Sequence, residues 1–186
     1  MSNTGSRLYK TLLDEEGMRR AISRISHEII ESNKGVRDLV IIGIHTRGVF
    51  IAKRITDIIN KFEQSDITPN SIDPKNYRDD IKLDIKPEYE NPHILIQNKN
   101  VILIDDVLYT GRTISASMEA LFSTGRPKNI KLATLVDRGH RELPIRPDFI
   151  GKNIPTSREE VVKVFLEEED SKDEVVIINQ KQILEK

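Results

Sequence analysis

VILIDDVLYTGRT, residues Val101–Thr113, is the stretch from which the rest of the chain can be read. Val101–Ile104 is a continuous aliphatic run of the kind buried in parallel strands. It ends in two adjacent carboxylates, Asp105 and Asp106. A strand of this type delivers them to the carboxyl edge of a sheet, where open α/β sheets bind ligands. A short loop containing Thr110, Gly111 and Thr113 follows, and the apolar spacing predicts a helix over Ile114–Phe122, closed by Ser123-Thr124-Gly125. Backbone N–H groups of such a loop and helix start form an anion site, with Gly111 permitting the turn and the threonine hydroxyls adding donors. Acids beside a phosphate cradle repel the ligand unless vicinal hydroxyls or a divalent cation stand between, since carboxylates accept from hydroxyls and coordinate Mg²⁺ or its waters. The ligand implied is a ribose 5-phosphate whose diol faces Asp105 and Asp106. A plain strand-to-helix turn with a solvated Asp pair explains the polarity, but not the joint arrangement of strand, double acid and Gly/Thr loop. The glycine-lysine loop of NTPases and the G-x-G-x-x-G dinucleotide fingerprint are both absent, and the acid spacing does not fit an EF-hand.

Outward from this segment the same alternation recurs. Leu39–Ile44 is a second buried strand, leading through His45-Thr46-Arg47-Gly48 into an amphipathic helix with Val49, Ala52, Ile55, Ile59 and Phe62 on one side. Upstream, Asp14 is placed to cap a helix with Glu15 and Glu16 in its first turn. Met18, Ala21, Ile22, Ile25 and Ile29 then recur at helical spacing until Asn33-Lys34-Gly35; Arg20, Ser23, Arg24 and His27 lie on the other side. Ile130–Val136 reads as a third buried strand. Ile67–Tyr77 reads as a weaker strand interrupted by prolines, Arg78–Asn98 as a polar connection of lid length, and the stretch after Asp137-Arg138-Gly139 through Ser157 as irregular. Val161–Leu166 and Glu174–Ile178 read as a hairpin across an acidic turn, and the last eight residues as loosely held. The fold class expected is α/β: a mainly parallel twisted sheet flanked by helices, in one domain over residues 1–186.

The hydrophobic share of 37% over 186 residues suffices for a core and argues against wholesale disorder. No apolar run approaches the roughly 20 residues that span a bilayer, so no membrane partner is expected. Met1–Lys10 carries no apolar secretory stretch, and zero cysteines exclude disulfides and thiolate metal sites. A cytoplasmic protein fits best. The net charge of −1 argues against a general nucleic-acid binder, but its distribution is uneven. From Arg126 to Arg158 eight Lys/Arg face three Asp/Glu, a local +5; from Glu159 to Lys186 nine acids face four bases, a local −5. One face for a polyanionic partner and a solvated surface with clustered charges both fit this pattern.

VILIDDVLYTGRT resembles the binding motif for phosphoribosyl pyrophosphate (PRPP) of type I phosphoribosyltransferases. More widely, the chain resembles the bacterial pyrimidine operon attenuation regulators that are also uracil phosphoribosyltransferases. RISHEIIESNKG, GIHTRG, YRDD and LVDRGHRELPIRPDFIGKNIPTS carry this resemblance across most of Met18–Leu166. It implies the type I phosphoribosyltransferase fold, with a small hood at about 137–160 and a flexible active-site loop at about 77–98. It also implies transfer of ribose 5-phosphate from PRPP to uracil with Mg²⁺, giving UMP and pyrophosphate. Asp105 and Asp106 would hold the ribose hydroxyls and Mg²⁺, directly or through water, while Val107, Leu108, Tyr109, Thr110, Gly111, Arg112 and Thr113 form the loop around the sugar phosphate. Thr46 and Arg47 match the pyrophosphate loop, with His45 standing where the family usually has Lys. Arg78 is the lid residue expected on pyrophosphate, and Arg138 and the backbone near Ile154 are expected at the edge of uracil. Purine-salvage relatives carry an acid where Tyr109 stands, serving a ring nitrogen that uracil lacks.

Members of the resembled family bind a stem-loop in the pyrimidine operon leader RNA, promoted by uridine nucleotides such as UMP or UTP. The positions that match their RNA-binding residues are Ser23, Arg24, His27, Thr46, His140, Arg141, Arg146 and Lys152. Ser23 stands in place of a usual Thr, and Ser32 where the family is often basic. A homodimer or higher homo-oligomer is implied, because one continuous RNA surface needs two chains. Two other readings stay open: a salvage phosphoribosyltransferase for another base without RNA binding, and an RNA-binding nucleotide sensor with negligible catalysis.

Overall fold

Asp14 caps the first helix as its sequence suggests, its carboxylate accepting from the Gly17 N–H at 2.8 Å. The computed structural model describes residues 9–79 and 93–179. The helix, α1 (Glu15–Asn33), buries Met18, Ala21, Ile22, Ile25 and Ile29 and stops where Lys34 enters the left-handed region. Side chains of this size each contribute on the order of 1.5–3 kcal/mol when fully buried. They pack against α2 (Arg47–Glu63), which presents Ile51, Ala52, Ile55 and Ile59. Phe62, expected on that buried side, is 62% exposed, and Ile51 takes its share of the core.

A five-stranded parallel sheet carries these helices, in the order β3 (Asn70–Ile72), β2 (Leu39–Ile44), β4 (Asn100–Leu108), β5 (Asn129–Asp137) and β6 (Phe149–Asn153). The two-residue period of the strands divides the core. Leu39, Ile41, Ile102 and Ile104 face α1 and α2, whereas Ile42, Ile44, Val101 and Leu103 pack with Ile114, Ala120 and Leu121 of α3 (Arg112–Phe122) on the opposite face. Strands buried on both faces in this way have no polar positions to alternate. A separate antiparallel sheet, β1 (Tyr9–Leu13), β8 (Glu174–Asn179) and β7 (Glu160–Phe165), includes the expected hairpin, with the four-residue helix α4 (Glu167–Asp170) in its acidic turn.

Four features depart from expectation. β4 does not end at Ile104: Asp105 pairs with Thr134, and Leu108 pairs with Asp137, so the acids lie inside the ladder. The apolar pair Val107-Leu108 resumes the strand after them. β6 runs through the segment expected to be irregular; the Asp148 carboxylate accepts from the Leu132 N–H at 2.9 Å and aligns the edge. β1 was not expected at all, and its partner lies more than 160 residues away in β8. The weak strand expected over Ile67–Tyr77 shrinks to Asn70–Ile72, followed by a 3-10 turn at Lys75–Tyr77. The lid expected over 77–98 and the loosely held tail lie mostly outside the described residues.

Candidate functional site

The sheet and α2 approach each other more closely than side chains allow. A Cβ on Gly48 would collide with the Ile104 carbonyl oxygen, so only glycine lets the start of α2 lie against β4. This contact sets Arg47 next to the acids of β4. The turn before it contains a cis peptide between His45 and Thr46, with the His45 N–H bonded to the Ile72 carbonyl at 2.9 Å.

Asp105 is buried and Asp106 half-buried. The Asp106 N–H donates to an Asp105 carboxylate oxygen at 3.0 Å, and the Val107 N–H donates to Asp106 at 2.8 Å. Burial, and then the neighbouring Asp106 charge, push the Asp105 carboxyl well above the ordinary carboxylate range; the Arg78 guanidinium pulls against them. Two carboxylates at this spacing invite a cation or hydroxyl donors. Among the described residues no group of three or more His, Asp or Glu side chains could hold a metal on its own. The pair therefore suits an ion such as Mg²⁺, which keeps most of its ligands from water and phosphate oxygens.

Beyond the acids, Gly111 turns at φ +92° and α3 starts at once. The first intrahelical bond runs from Ser115 N–H to the Gly111 carbonyl, so the N–H groups before it point out of the helix start. Thr110 steadies the turn by accepting from the Arg112 N–H at 3.3 Å. Its carbonyl accepts from Glu142 and Leu143 N–H at 3.0 and 3.1 Å, tying the loop to the segment after β5. The Arg78 guanidinium donates to the Thr113 hydroxyl at 3.2 Å, which puts a cation at the same corner. Arg112 bridges Asp79 and Glu142, each at 2.7 Å.

Arg47 reaches from α2 towards the other side of Asp106. Together they line a cleft of about 450 Å³ with Val107 and with Val162, Val164 and Asp170 of the antiparallel sheet and its turn. One Arg47 terminal nitrogen donates to both Asp170 oxygens at 3.1 Å, while its buried Nε has no hydrogen-bond partner. The Leu166 N–H and, after it, Arg47 hold Asp170 below the ordinary carboxylate range despite opposing burial.

The 137–160 segment is held from inside. Arg138 is buried, stacks 4.1 Å over the Tyr109 ring, and donates to the Thr156 hydroxyl and to the carbonyls of Ser157 and Glu160 at 3.2, 3.3 and 2.6 Å. Arg141 pairs with Asp137 at 2.6 Å and donates to the carbonyls of Ile145, Tyr109, Leu108 and Gly139. His140 contacts the Thr156 carbonyl, and Ile154 is buried with its N–H on the Asp137 carbonyl at 2.8 Å.

Of the residues matched to RNA contact, Thr46, His140 and Arg141 thus lie at the carboxyl end of the sheet. Ser23 and Arg24 sit on α1, where Arg24 donates to the carbonyls of Ile150 and Gly151 in β6, and Lys152 extends from β6 to the Leu12 carbonyl. His27 packs edge-on against Phe62 of α2 at 4.8 Å, and Arg146 is exposed. Sequence reasoning missed Asp137, Thr156 and Asp170. Asp137 could have been found as a third acid at a strand end; Asp170 had no local signal, being 123 residues from Arg47.

Residues 9–171 match the model of the family described as phosphoribosyl transferase domain. The protein named "Bifunctional protein PyrR" of Clostridioides difficile is 53% identical over 169 residues, covering 89% of this chain and 96% of that protein. Its namesake from Enterococcus faecalis is 51% identical over 170 residues, covering 90% and 96%. Among solved structures, the hypoxanthine phosphoribosyltransferase of Trypanosoma cruzi superposes with a TM-score of 0.67 at 19% identity, covering 91% of this chain and 96% of that one. That of Staphylococcus aureus gives 0.68 at 19% identity, covering 98% and 99%. At that identity the structural likeness speaks for the fold alone.

Proposed function

We propose, for a chain that belongs to the phosphoribosyl transferase domain family and within it to the bifunctional PyrR proteins, two linked activities. It transfers ribose 5-phosphate from PRPP to uracil, and it binds pyrimidine operon leader RNA in response to uridine nucleotides. The observation that carries the first is the corner where Asp105 and Asp106 lie near the carboxyl end of β4, Gly111 turns into α3, and Arg78 reaches Thr113.

In the transfer, uracil N1 bonds to the anomeric carbon, the bond from that carbon to the pyrophosphate oxygen breaks, and the N1 proton leaves to solvent. Positive charge develops on the sugar and negative charge on the leaving group, so the protein's task is positioning and charge management. Asp105 and Asp106 grip the ribose diol. N–H groups of Thr110–Thr113, with the Thr110 and Thr113 hydroxyls, hold the 5-phosphate. Arg47 and Arg78 approach from opposite sides to meet the pyrophosphate. To do so, Arg47 exchanges Asp170 for the leaving group. Mg²⁺ held at the acids would offset the charge of the PRPP oxygens. Arg138, stacked on Tyr109, and the Ile154 backbone form the wall at which a pyrimidine edge is read.

For RNA, the support is membership among proteins named bifunctional and the cations Arg24 and Lys152 at the α1–β6 edge, where Arg24 also pairs with Glu28 at 2.8 Å. Phosphate contacts by these cations make binding fall steeply with salt, and loop or bulge bases supply specificity. A homodimer and a cytoplasmic location complete the reading. Among the described residues no helix is long and apolar enough to cross a membrane.

Pyrophosphate release from PRPP with uracil, set against hypoxanthine and orotate, tests the enzyme. Turnover with uracil alone is expected; none with uracil rejects it and favours a nucleotide-sensing regulator. Filter binding of the leader RNA with and without UMP tests the regulator. Absent or salt-insensitive binding leaves a salvage enzyme only.

A further inference from the structure

Of the eight cations of the Arg126–Arg158 segment, two pairs are held in contrasting ways. Arg138 and Arg141 are turned inward onto main-chain carbonyls, where they brace loops. Lys128 and Lys131 instead flank a cavity of about 190 Å³ at the amino end of the sheet, together with Lys34 from the end of α1. No carboxylate lines it. Asp38, the nearby acid, is held below its ordinary value first by its hydrogen bond from Lys99, at 2.6 Å, with weaker pulls from the Arg37 and Lys128 charges. Among the described residues neither Lys34 nor Lys128 joins an ion pair.

The floor of the cavity is built by side chains from three elements. Asn129 of β5 donates its amide to Asn100 of β4 at 2.6 Å, Asn100 donates to Asn33 of α1 at 2.9 Å, and Asn33 donates to the Gly35 carbonyl at 2.7 Å. The chain locks the end of α1 to two strands. Lys131 is steadied as well, its ammonium bonded to the Ser32 hydroxyl and lying 5.9 Å over the Phe149 ring. The lysines thus surround a fixed, polar, uncharged base.

Size and charge decide what fits. Nucleotides and drug-sized ligands occupy pockets of roughly 300–1,000 Å³, whereas this cavity suits a single phosphate group. Its position says which phosphate. Arg24 contacts β6 at Ile150 and Gly151, while Ser32, eight residues further along α1, contacts Lys131. At 1.5 Å per helical residue the two points are about 12 Å apart along one α1–strand groove. Resting on the RNA reading above, we propose that this cavity docks a backbone phosphate of the same leader RNA, with Lys128 and Lys131 as its main cations and Lys34 at its rim. The RNA footprint therefore runs from the β6 edge down to the amino end of the sheet.

The test compares wild type with a Lys128→Gln/Lys131→Gln double variant, using a stem-loop transcript from the host's own pyrimidine operon leader across a range of salt. The expected result is RNA binding weakened about tenfold at low salt, with the slope of log affinity against log salt reduced by about 0.7–0.9, the loss of one neutralised phosphate. Uracil turnover and melting temperature should stay unchanged, and Lys128→Arg/Lys131→Arg should keep the wild-type slope. If the double variant matches wild type while Arg24→Gln lowers affinity and slope, the cavity lies outside the footprint and the proposal is overturned, with the RNA reading intact. If wild type binds no leader RNA at any salt, the RNA reading falls and takes the proposal with it. Loss of UMP binding in place of RNA binding would identify a free nucleotide site and also overturn it.

Discussion

The two ends of the five-stranded sheet handle charge in opposite ways. At the carboxyl end, nearly every charged side chain is tied down: Arg47 to Asp170, Arg141 to Asp137 and four carbonyls, Arg138 to Thr156, Ser157 and Glu160, and Arg78 to Thr113. At the amino end, Lys34 and Lys128 stand without an ion pair among the described residues, around amides that carry no charge. Positioned charges suit a reaction whose barrier depends on sub-ångström placement. Loosely held charges suit a polyanion, which responds to summed potential and tolerates imprecise contacts. Substitutions at the carboxyl end should therefore act on turnover, and those at the amino end on salt dependence.

Asp106→Asn should have the largest effect. It keeps the shape but removes the charge proposed to face the ribose, and turnover with PRPP should fall by about 100-fold or more, the usual scale for losing one preorganised electrostatic contact. Steady-state kinetics with uracil check this; a loss within about twofold would move the site away from β4. Gly111→Ala comes next. With φ at +92° and Ile145 only 3.4 Å from the added methyl, the loop should lose about 1–2 kcal/mol in unfolding experiments and bind PRPP less tightly.

A third substitution separates charges held for chemistry from charges held for stability. Arg54 on α2 bridges Glu168 at 2.5 Å and Asp173 at 2.6 Å, away from the corner. Its hydrogen bond is the main cause that holds Glu168 low; for Asp173, burial pushes upward, but the Arg54 and Glu167 N–H bonds outweigh it. Both carboxyls are thus depressed in the folded state. Their contribution is complete above the unfolded value of about 4 and is lost as pH falls through the lower folded values. Arg54→Gln should lower the melting temperature by about 3 °C near neutrality, and the difference should close below about pH 4. Calorimetry at several pH values reads this, and uracil turnover at neutral pH should be unchanged. The smallest expected effect is at the other end of the sheet. Lys34→Gln should reduce the salt slope of RNA binding by less than the roughly 0.7 of a whole phosphate contact and leave turnover alone.

How far these features could be read beforehand depended on how local they are. The buried strands β2, β4 and β5 declare themselves through unbroken aliphatic runs, and α1 through its period and its Asp14 cap. The corner is equally local: acids, glycine and threonines fall within thirteen consecutive residues. β4 reads as too short because Asp105 and Asp106 look like a stop, although Thr134 of β5 pairs with Asp105, and Val136 and Asp137 keep pairing beyond the acids. β6, with the sequence FIGKN, has little strand preference of its own and exists through its neighbour β5. Pairings such as Arg47 with Asp170 and Lys131 with Ser32 join residues about a hundred positions apart and leave no pattern in the chain. Arg141 shows the cost: its match to RNA contact says nothing of the five groups its guanidinium meets.

Soaking crystals with UMP and Mg²⁺ tests the central claim most directly. The 5-phosphate should lie within hydrogen-bond distance of the N–H groups of Thr110–Thr113, with the ribose diol on Asp105 and Asp106. A nucleotide bound elsewhere while this corner holds only water would contradict it.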